Sequence, residues 1–87
     1  MNLADAKRQF QGIVDRYGGG PVTDPAERAA ALAELTEAHR SAMRQIDRYT
    51  AERRGRRPPG LAVNTRNGLV GKLDELFSSA KAELGLG

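Results

Sequence analysis

The chain has 87 residues, of which 39% are hydrophobic and 29% charged, and its formal net charge is +3. These proportions are typical of a globular protein and exclude a disordered chain, and the length limits the fold to one domain. Because the sequence has no Cys and one His, disulfides and thiolate metal sites are excluded, and we predict neither a metal site nor a cofactor.

The first predicted element is a helix over residues 2–17. Its apolar residues recur at spacings of three and four, which places them on one helical face: Leu3, Ala6, Phe10, Ile13 and Tyr17. Three glycines and Pro21 follow and predict the end of the helix. A phosphate-binding loop is the alternative for these glycines, but no strand precedes them and no P-loop spacing follows. We therefore interpret them as a linker between helices.

The second predicted element is a long helix over residues 24–54. Asp24 is a plausible N-cap, Pro25 suits the first helical position, and Glu27 completes a variant of the capping box. No Gly or Pro interrupts the chain from there to Arg54, so the helix would be about 45 Å long at 1.5 Å per residue. Its predicted helix interface follows an a/d heptad pattern: Leu32, Leu35, His39, Ala42, Ile46 and Tyr49.

Gly55, Pro58 and Pro59 predict an extended connector over residues 55–64, because proline fixes φ and disfavours helix in the residue before it. A third helix is predicted over residues 65–84. Its apolar face consists of Leu69, Val70, Leu73, Leu76, Phe77, Ala80 and Leu84. Gly85 followed by Leu86 is typical of a Schellman stop.

No segment has the alternating pattern of a strand, so the predicted fold class is all-α with a single domain over residues 1–87. Short linkers favour antiparallel neighbours. We expect the short first helix to pack on the amino-terminal half of the long central helix, and the third helix to return antiparallel along its other half. The first helix is too short to cover the central one, so an apolar surface should remain for a partner.

His39 is the natural candidate for general acid–base catalysis, because its unperturbed pKa lies near neutrality. The sequence offers no Ser-His-Asp or Cys-His arrangement on adjacent turns. The alternative is a histidine in the helix interface that sets the register between helices. We favour that structural role and predict that the protein is not an enzyme.

The most distinctive segment is rich in arginine and lies around the connector. Residues 45–66 contain six Arg and two acidic residues, a net charge of +4, whereas residues 1–44 contain six basic and six acidic residues. The predicted partner-binding or nucleic-acid-binding residues are Arg53, Arg54, Arg56, Arg57, Pro58, Pro59 and Arg66. Arginine suits phosphates and carboxylates. A solvated charge run at the carboxyl end of a helix is an equal alternative.

These patterns together predict a non-catalytic assembly protein, either a homo-oligomer or a subunit docked on a larger complex. Compact helical modules without Cys are frequent among accessory subunits of bacteriophage particles, which makes a virion component one possibility. The alternative is a nucleic-acid-binding accessory protein that uses the connector arginines on the phosphate backbone. We predict no membrane partner and no small-molecule substrate, and a location in the cytoplasm or within an assembled particle.

Overall fold

The computed structural model describes residues 3–54 and 59–86, and for residues 52–54 and 59–65 the description is limited to the backbone. Three helices follow in chain order: α1 (Ala4–Arg16), α2 (Pro25–Arg54) and α3 (Pro59–Glu83). No strand occurs among the described residues. The all-α prediction of a short first helix and a third helix packed antiparallel on a long central helix is confirmed.

The helix ends follow the capping chemistry that the sequence predicts. At the start of α2, Asp24 Oδ2 accepts a hydrogen bond from the Glu27 N–H at 3.1 Å, which satisfies one unpaired donor of the first turn. After α3, the Leu86 N–H donates to the Lys81 carbonyl at 2.8 Å and Gly85 has φ of 69°. This is the predicted Schellman motif, in which a left-handed glycine lets the chain turn back on the helix.

The third helix begins earlier than predicted. Residues 59–64, predicted to be extended, form the first turns of α3, and the rest of the predicted connector lies outside the described residues. Pro59 is the first residue of this helix. A proline is tolerated there because the first turn needs no N–H donor and its φ already suits a helix. The prediction weighed proline as a helix breaker and overlooked its preference for this position.

Helices α2 and α3 form an antiparallel hairpin. Towards the carboxyl end of α2, Arg66 Nε lies 2.7 Å from Asp47 Oδ1. Midway, His39 Nε2 lies 2.9 Å from Asp74 Oδ1. At the other end, beside the start of α2, the Val22 N–H donates to the Leu84 carbonyl at 2.9 Å. The expectation that α3 covers only one half of α2 is therefore wrong, because α3 starts at Pro59 and is long enough to reach the first turn of α2.

Helix α1 packs in the groove of this hairpin, antiparallel to α2 and parallel to α3. The Phe10 and Phe77 rings meet edge to face with their centroids 6.2 Å apart. At the other end of α1, the Tyr17 hydroxyl donates to Glu34 Oε2 at 2.5 Å. The Cα atoms extend over 48 × 18 × 15 Å, so the molecule is a rod about as long as α2.

The core lies between the three helices and consists of aliphatic, aromatic and small side chains. Its buried hydrophobic members are Ala6, Phe10, Ile13, Val14, Val22, Ala31, Leu35, Ala38, Ala42, Ile46, Leu73, Ala80 and Leu84. Of the predicted interface of α2, Leu35, Ala42 and Ile46 are buried, while His39 and Tyr49 are half-buried. The prediction that Leu32 lies in the interface is wrong, because this residue is 40% exposed and Ala31 is buried in the core instead.

Candidate partner-binding surface

Helix α1 covers only one half of the hairpin. Its first residues, Leu3 and Ala4, line a surface depression together with Lys72 and Leu76 of α3. The pairs Asp47–Arg66 and His39–Asp74 share one register, which places Lys72 level with Ser41 of α2. Beyond this level the hairpin continues as two helices, residues 42–54 of α2 and 59–71 of α3, which we call the arm. The remainder, with α1, is the bundle half.

Over the residues whose side chains the structure describes, the inner face of the arm is mainly apolar. Ile46 is fully buried, and Leu69 and Val70 pack against the core while remaining partly accessible. Thr50 is also buried and donates its hydroxyl to the Ile46 carbonyl at 3.0 Å. This bond within the helix removes the cost of burying the hydroxyl. The arm is therefore held by ordinary helix packing along one face.

The helical faces that hold α1 can be followed along α2 and α3 into the described part of the arm. Beside α1, the α2 wall of a surface depression includes Glu34 and Ala38. The helical repeat carries this stripe on to Ala42, Gln45 and Tyr49. On α3, Leu69 lies two helical turns before Leu76, which lines a depression beside α1. These four residues, which we call the arm groove, range from buried Ala42 through half-buried Tyr49 and Leu69 to exposed Gln45.

The arginine-rich segment lies at the free end of the arm. Arg53 and Arg54 are the last two residues of α2, and Pro59 opens α3. Arg56, Arg57 and Pro58, also predicted as binding residues, lie outside the described residues, as do the side chains of Arg53, Arg54 and Pro59. The hairpin brings residues 45–54 and 59–66 to one end, and these residues carry +2, with four Arg against Asp47 and Glu52.

Arg66, which was also predicted as a binding residue, has a partner within the fold. Its Nε donates to Asp47 Oδ1 at 2.7 Å, a pair that joins α3 to α2. This pair was not predicted from the sequence, since Asp47 and Arg66 are nineteen residues apart on different helices. Their opposite charges were the available signal, but only the hairpin register shows that they meet.

His39 occupies a similar joining position between α2 and α3. Its ring lies 4.9 Å from the Phe77 ring, and Nε2 lies 2.9 Å from Asp74 Oδ1. A histidine with a carboxylate can orient a base, but it can equally fix two helices in register. Among the described residues there is no group of three His, Cys, Asp or Glu side chains arranged to hold a metal ion.

None of the helices, over the residues that the structure describes, is long and apolar enough to cross a membrane. Comparison of the chain with protein-family models, with curated proteins and with solved structures found no match in any of the three. Function must therefore be inferred from the molecule itself.

Proposed function

We propose that this protein is a non-catalytic interaction module in which the bundle half is a scaffold and the arm binds a macromolecular partner. The observation that carries the proposal is the length of α1, which ends its cover of the hairpin near Lys72 and leaves about 20 Å of paired helix without a third helix. Docking on the arm would extend the three-helix core over the rest of the rod.

The energetics of a small helical protein support this use of the arm. A domain of this size buries only about 60% of the surface that its unfolded chain exposes, so each further buried apolar group matters. Within the arm, Leu69, Val70 and Met43 are only partly buried. A partner that covers them gains apolar burial, and by mass action its binding raises the stability of the folded arm.

A structural role for His39 supports the non-catalytic part of the proposal. Its imidazole is engaged by Asp74 and by the ring of Phe77, and these contacts cross from α2 to α3. Contacts of this kind fix the register of one helix against the other. A general base also needs a substrate pocket next to it, and His39 does not line the surface depressions beside α1.

The test is capture of a stoichiometric partner from the native source, followed by native mass spectrometry of the purified complex. Gln45→Trp should block the arm groove whatever the charge of the partner, and at least about tenfold weaker binding is expected. Ala33→Trp is the matched control, because Ala33 is equally exposed on α2 but lies in the bundle half. A monomer without any partner, or equal loss in both variants, contradicts the proposal.

A second candidate function, binding of a nucleic-acid backbone, is favoured by one observation, the net charge of +4 over residues 45–66. If it holds, binding to duplex DNA should weaken steeply with salt, because each neutralised phosphate releases counterions. Replacing Arg53, Arg54, Arg56 and Arg57 by Gln should flatten that salt dependence. Absence of binding at low salt rejects this function and leaves the interaction module as the proposal.

A further inference from the structure

We propose that a second copy of this chain covers the cleft between α1 and α3, and that the two copies lie antiparallel around a two-fold axis. The cleft belongs to the bundle half and uses a different face of α1 from the depression beside α2. The inference therefore goes beyond the proposed function of the arm. Three features carry it, namely the apolar floor of the cleft, the charges on its rims, and the order of those charges along α3.

The cleft is a continuous depression along one side of the bundle half. It consists of two adjoining depressions that share Lys7, Leu76 and Ser79. Its floor is formed by apolar side chains of both helices, Leu3, Ala4, Phe10, Val14, Leu76 and Ala80. A cleft of this kind, between two parallel helices with an apolar floor, is the place that a further helix takes in a larger helical bundle. The shape therefore suits a helical occupant.

The charged residues on the rims of the cleft differ from those around the depression between α1 and α2. There, every charged side chain is in an ion pair: Arg8 with Asp5, Arg16 with Glu34, and Glu37 with Arg40 and Arg44. The charged residues that line the cleft are Lys7, Lys72, Glu75 and Glu83. None of these four forms an ion pair with another residue that the structure describes. Such charges are available to pair with those of a partner.

The order of the charges along α3 indicates that this partner is a second copy. Lys72 lies towards the amino end of the cleft and Glu83 towards its carboxyl end, eleven residues or about 17 Å apart along the helix. When two copies pack antiparallel, Lys72 of each copy comes level with Glu83 of the other, and two-fold symmetry makes this contact twice. Lys7 and Glu75 lie between these ends, so they can also pair from one copy to the other.

The same charges disfavour the other occupants. Two Lys and two Glu line the cleft, so its net charge is zero. The cleft therefore offers no excess charge to attract an acidic helix, a nucleic acid or an anionic membrane surface. A parallel pair of copies would bring Lys72 level with Lys72 and Glu83 level with Glu83. Like charges would then meet at both ends of the interface, which costs binding energy.

Sedimentation equilibrium of the full chain is the first test. The cleft is short, so the interface is at the small end of the range for specific contacts, and we expect a reversible dimer with a dissociation constant of about 10–500 µM. Added salt should weaken the dimer, because salt screens the charges on the rims. Dilution of a 15N-labelled sample should shift the amide signals of Lys7, Leu76 and Ser79, whereas those of Leu32 and Ala33, on another face, should stay constant.

Charge reversal tests the antiparallel pairing. Lys72→Glu and Glu83→Lys should each weaken the dimer at least about tenfold, because each change places like charges at both ends of the interface. The two variants mixed in equal amounts should form a heterodimer, since the two acidic ends of one chain then face the two basic ends of the other. The double variant should dimerise like the wild type. Both residues are exposed, so the circular dichroism spectra should not change.

Lys81→Glu is the matched control. It makes the same change of charge on the same helix, but the Lys81 ammonium lies over the Phe77 ring, 5.2 Å from its centroid, and does not line the cleft. This variant should dimerise as tightly as the wild type. An equal loss in Lys81→Glu and Lys72→Glu would show that the total charge, and not the pairing in the cleft, controls association, and would overturn the proposal.

The proposal is also overturned if the chain remains monomeric at about 1 mM, if Lys72→Glu dimerises as tightly as the wild type, or if the mixture of the two single variants does not associate. The arm is tested separately. Gln45→Trp should leave the dimer unchanged while it blocks the arm, because Gln45 does not line the cleft. Loss of the dimer in Gln45→Trp would place self-association in the arm and overturn the cleft as the interface.

Discussion

Tyr17 and Glu34 join the carboxyl end of α1 to α2. The hydroxyl donates to Glu34 Oε2 at 2.5 Å, and Arg16 Nη2 lies 2.6 Å from the other carboxylate oxygen. The hydrogen bond to Glu34 is the main cause that raises the pKa of the Tyr17 phenol above its ordinary value of 10.0. The folded state holds this proton more tightly than the unfolded state does. The hydrogen bond therefore stabilises the folded state below pH 10, and this stabilisation is lost as pH rises through the raised pKa of Tyr17.

The prediction is that Tyr17→Phe reduces the alkaline loss of stability. In the wild type the free energy of unfolding should fall as pH increases above about 10, since the native state then binds more protons than the unfolded state. The variant lacks this contribution. Urea unfolding from pH 8 to 11.5 measures the two slopes, and parallel slopes would show that the hydrogen bond does not influence stability.

Leu35 and Leu32 test the assignment of the core on α2. Leu35 has no exposed surface, whereas Leu32 is 40% exposed. Leu35→Ala should cost about 2–5 kcal/mol of unfolding free energy, because it removes buried methyl groups and leaves a cavity. Leu32→Ala should change it by less than about 1 kcal/mol. Urea denaturation of the two variants measures the difference, and equal losses would restore Leu32 to the interface.

This pair also shows where sequence reasoning failed. A heptad pattern favoured Leu32 because leucine is large and apolar, yet the buried positions of α2 include Ala31 and Ala38. A straight helix drifts by about 20° per heptad, so the buried stripe does not follow a strict seven-residue repeat. The side on which α1 packs determines which neighbouring residue is covered, and periodicity in α2 alone does not contain that information.

At the scale of the elements, the caps and glycines specify where the helices begin and end. The starts and stops with strong local chemistry, Asp24 before α2 and Gly85 after α3, were predicted correctly. Pro59 was assigned to the connector, and it opens α3. Local hydrogen-bonding and steric rules determine the helix ends at Asp24 and Gly85. A proline between two helices is compatible with an extended connector and with the first turn of a helix, and the packing of the residues after it decides between them.

Asp24→Ala should destabilise the protein by about 0.5–2 kcal/mol, because the Glu27 N–H loses the side-chain acceptor that caps α2. Thermal unfolding followed by circular dichroism measures the effect. Asp24→Asn is the matched control, since asparagine caps nearly as well without the charge. If Asp24→Asn lost as much stability as Asp24→Ala, the charge of Asp24, and not its hydrogen bond, would be what stabilises α2.

Gly85 and Gly68 should respond to alanine with opposite signs. Gly85 has φ of 69°, and a Cβ there would lie 3.4 Å from the Pro21 Cβ, so alanine should cost about 1 kcal/mol. Gly68 lies within α3, and a Cβ there meets nothing within 4 Å. Gly68→Ala should therefore stabilise the protein by about 0.5–1 kcal/mol. Chemical denaturation gives both values, and destabilisation by Gly68→Ala would contradict the helical start of α3.

At the scale of the whole molecule, a rod with three helices at one end and two at the other should not be equally stable along its length. Local opening is easiest where few buried apolar contacts hold a segment. Amide hydrogen exchange should therefore be faster for residues 42–51 and 66–71 of the arm than for residues 31–38 and 73–84 of the bundle half. Uniform protection along α2 would mean that the hairpin needs no third helix to be stable.

The number of helices, their antiparallel hairpin and most of their apolar faces were predictable, because repeats of three and four and local caps are encoded within each segment. The position of the short α1 on the amino-terminal half of α2, which leaves the other half without a third helix, was also predicted. How far α3 reaches was not predicted, because the contact of Val22 with Leu84 depends on where α3 begins and ends.

The hydrogen bond from Val22 to the Leu84 carbonyl has a practical consequence for handling the protein. It holds the last turn of α3 beside the linker, at the end of the 48 Å rod opposite the arm. A biotin tag or fluorophore attached beside Leu86 would therefore lie at the end of the molecule opposite the arm. Chains anchored to a sensor through such a tag would all expose the arm to the solution.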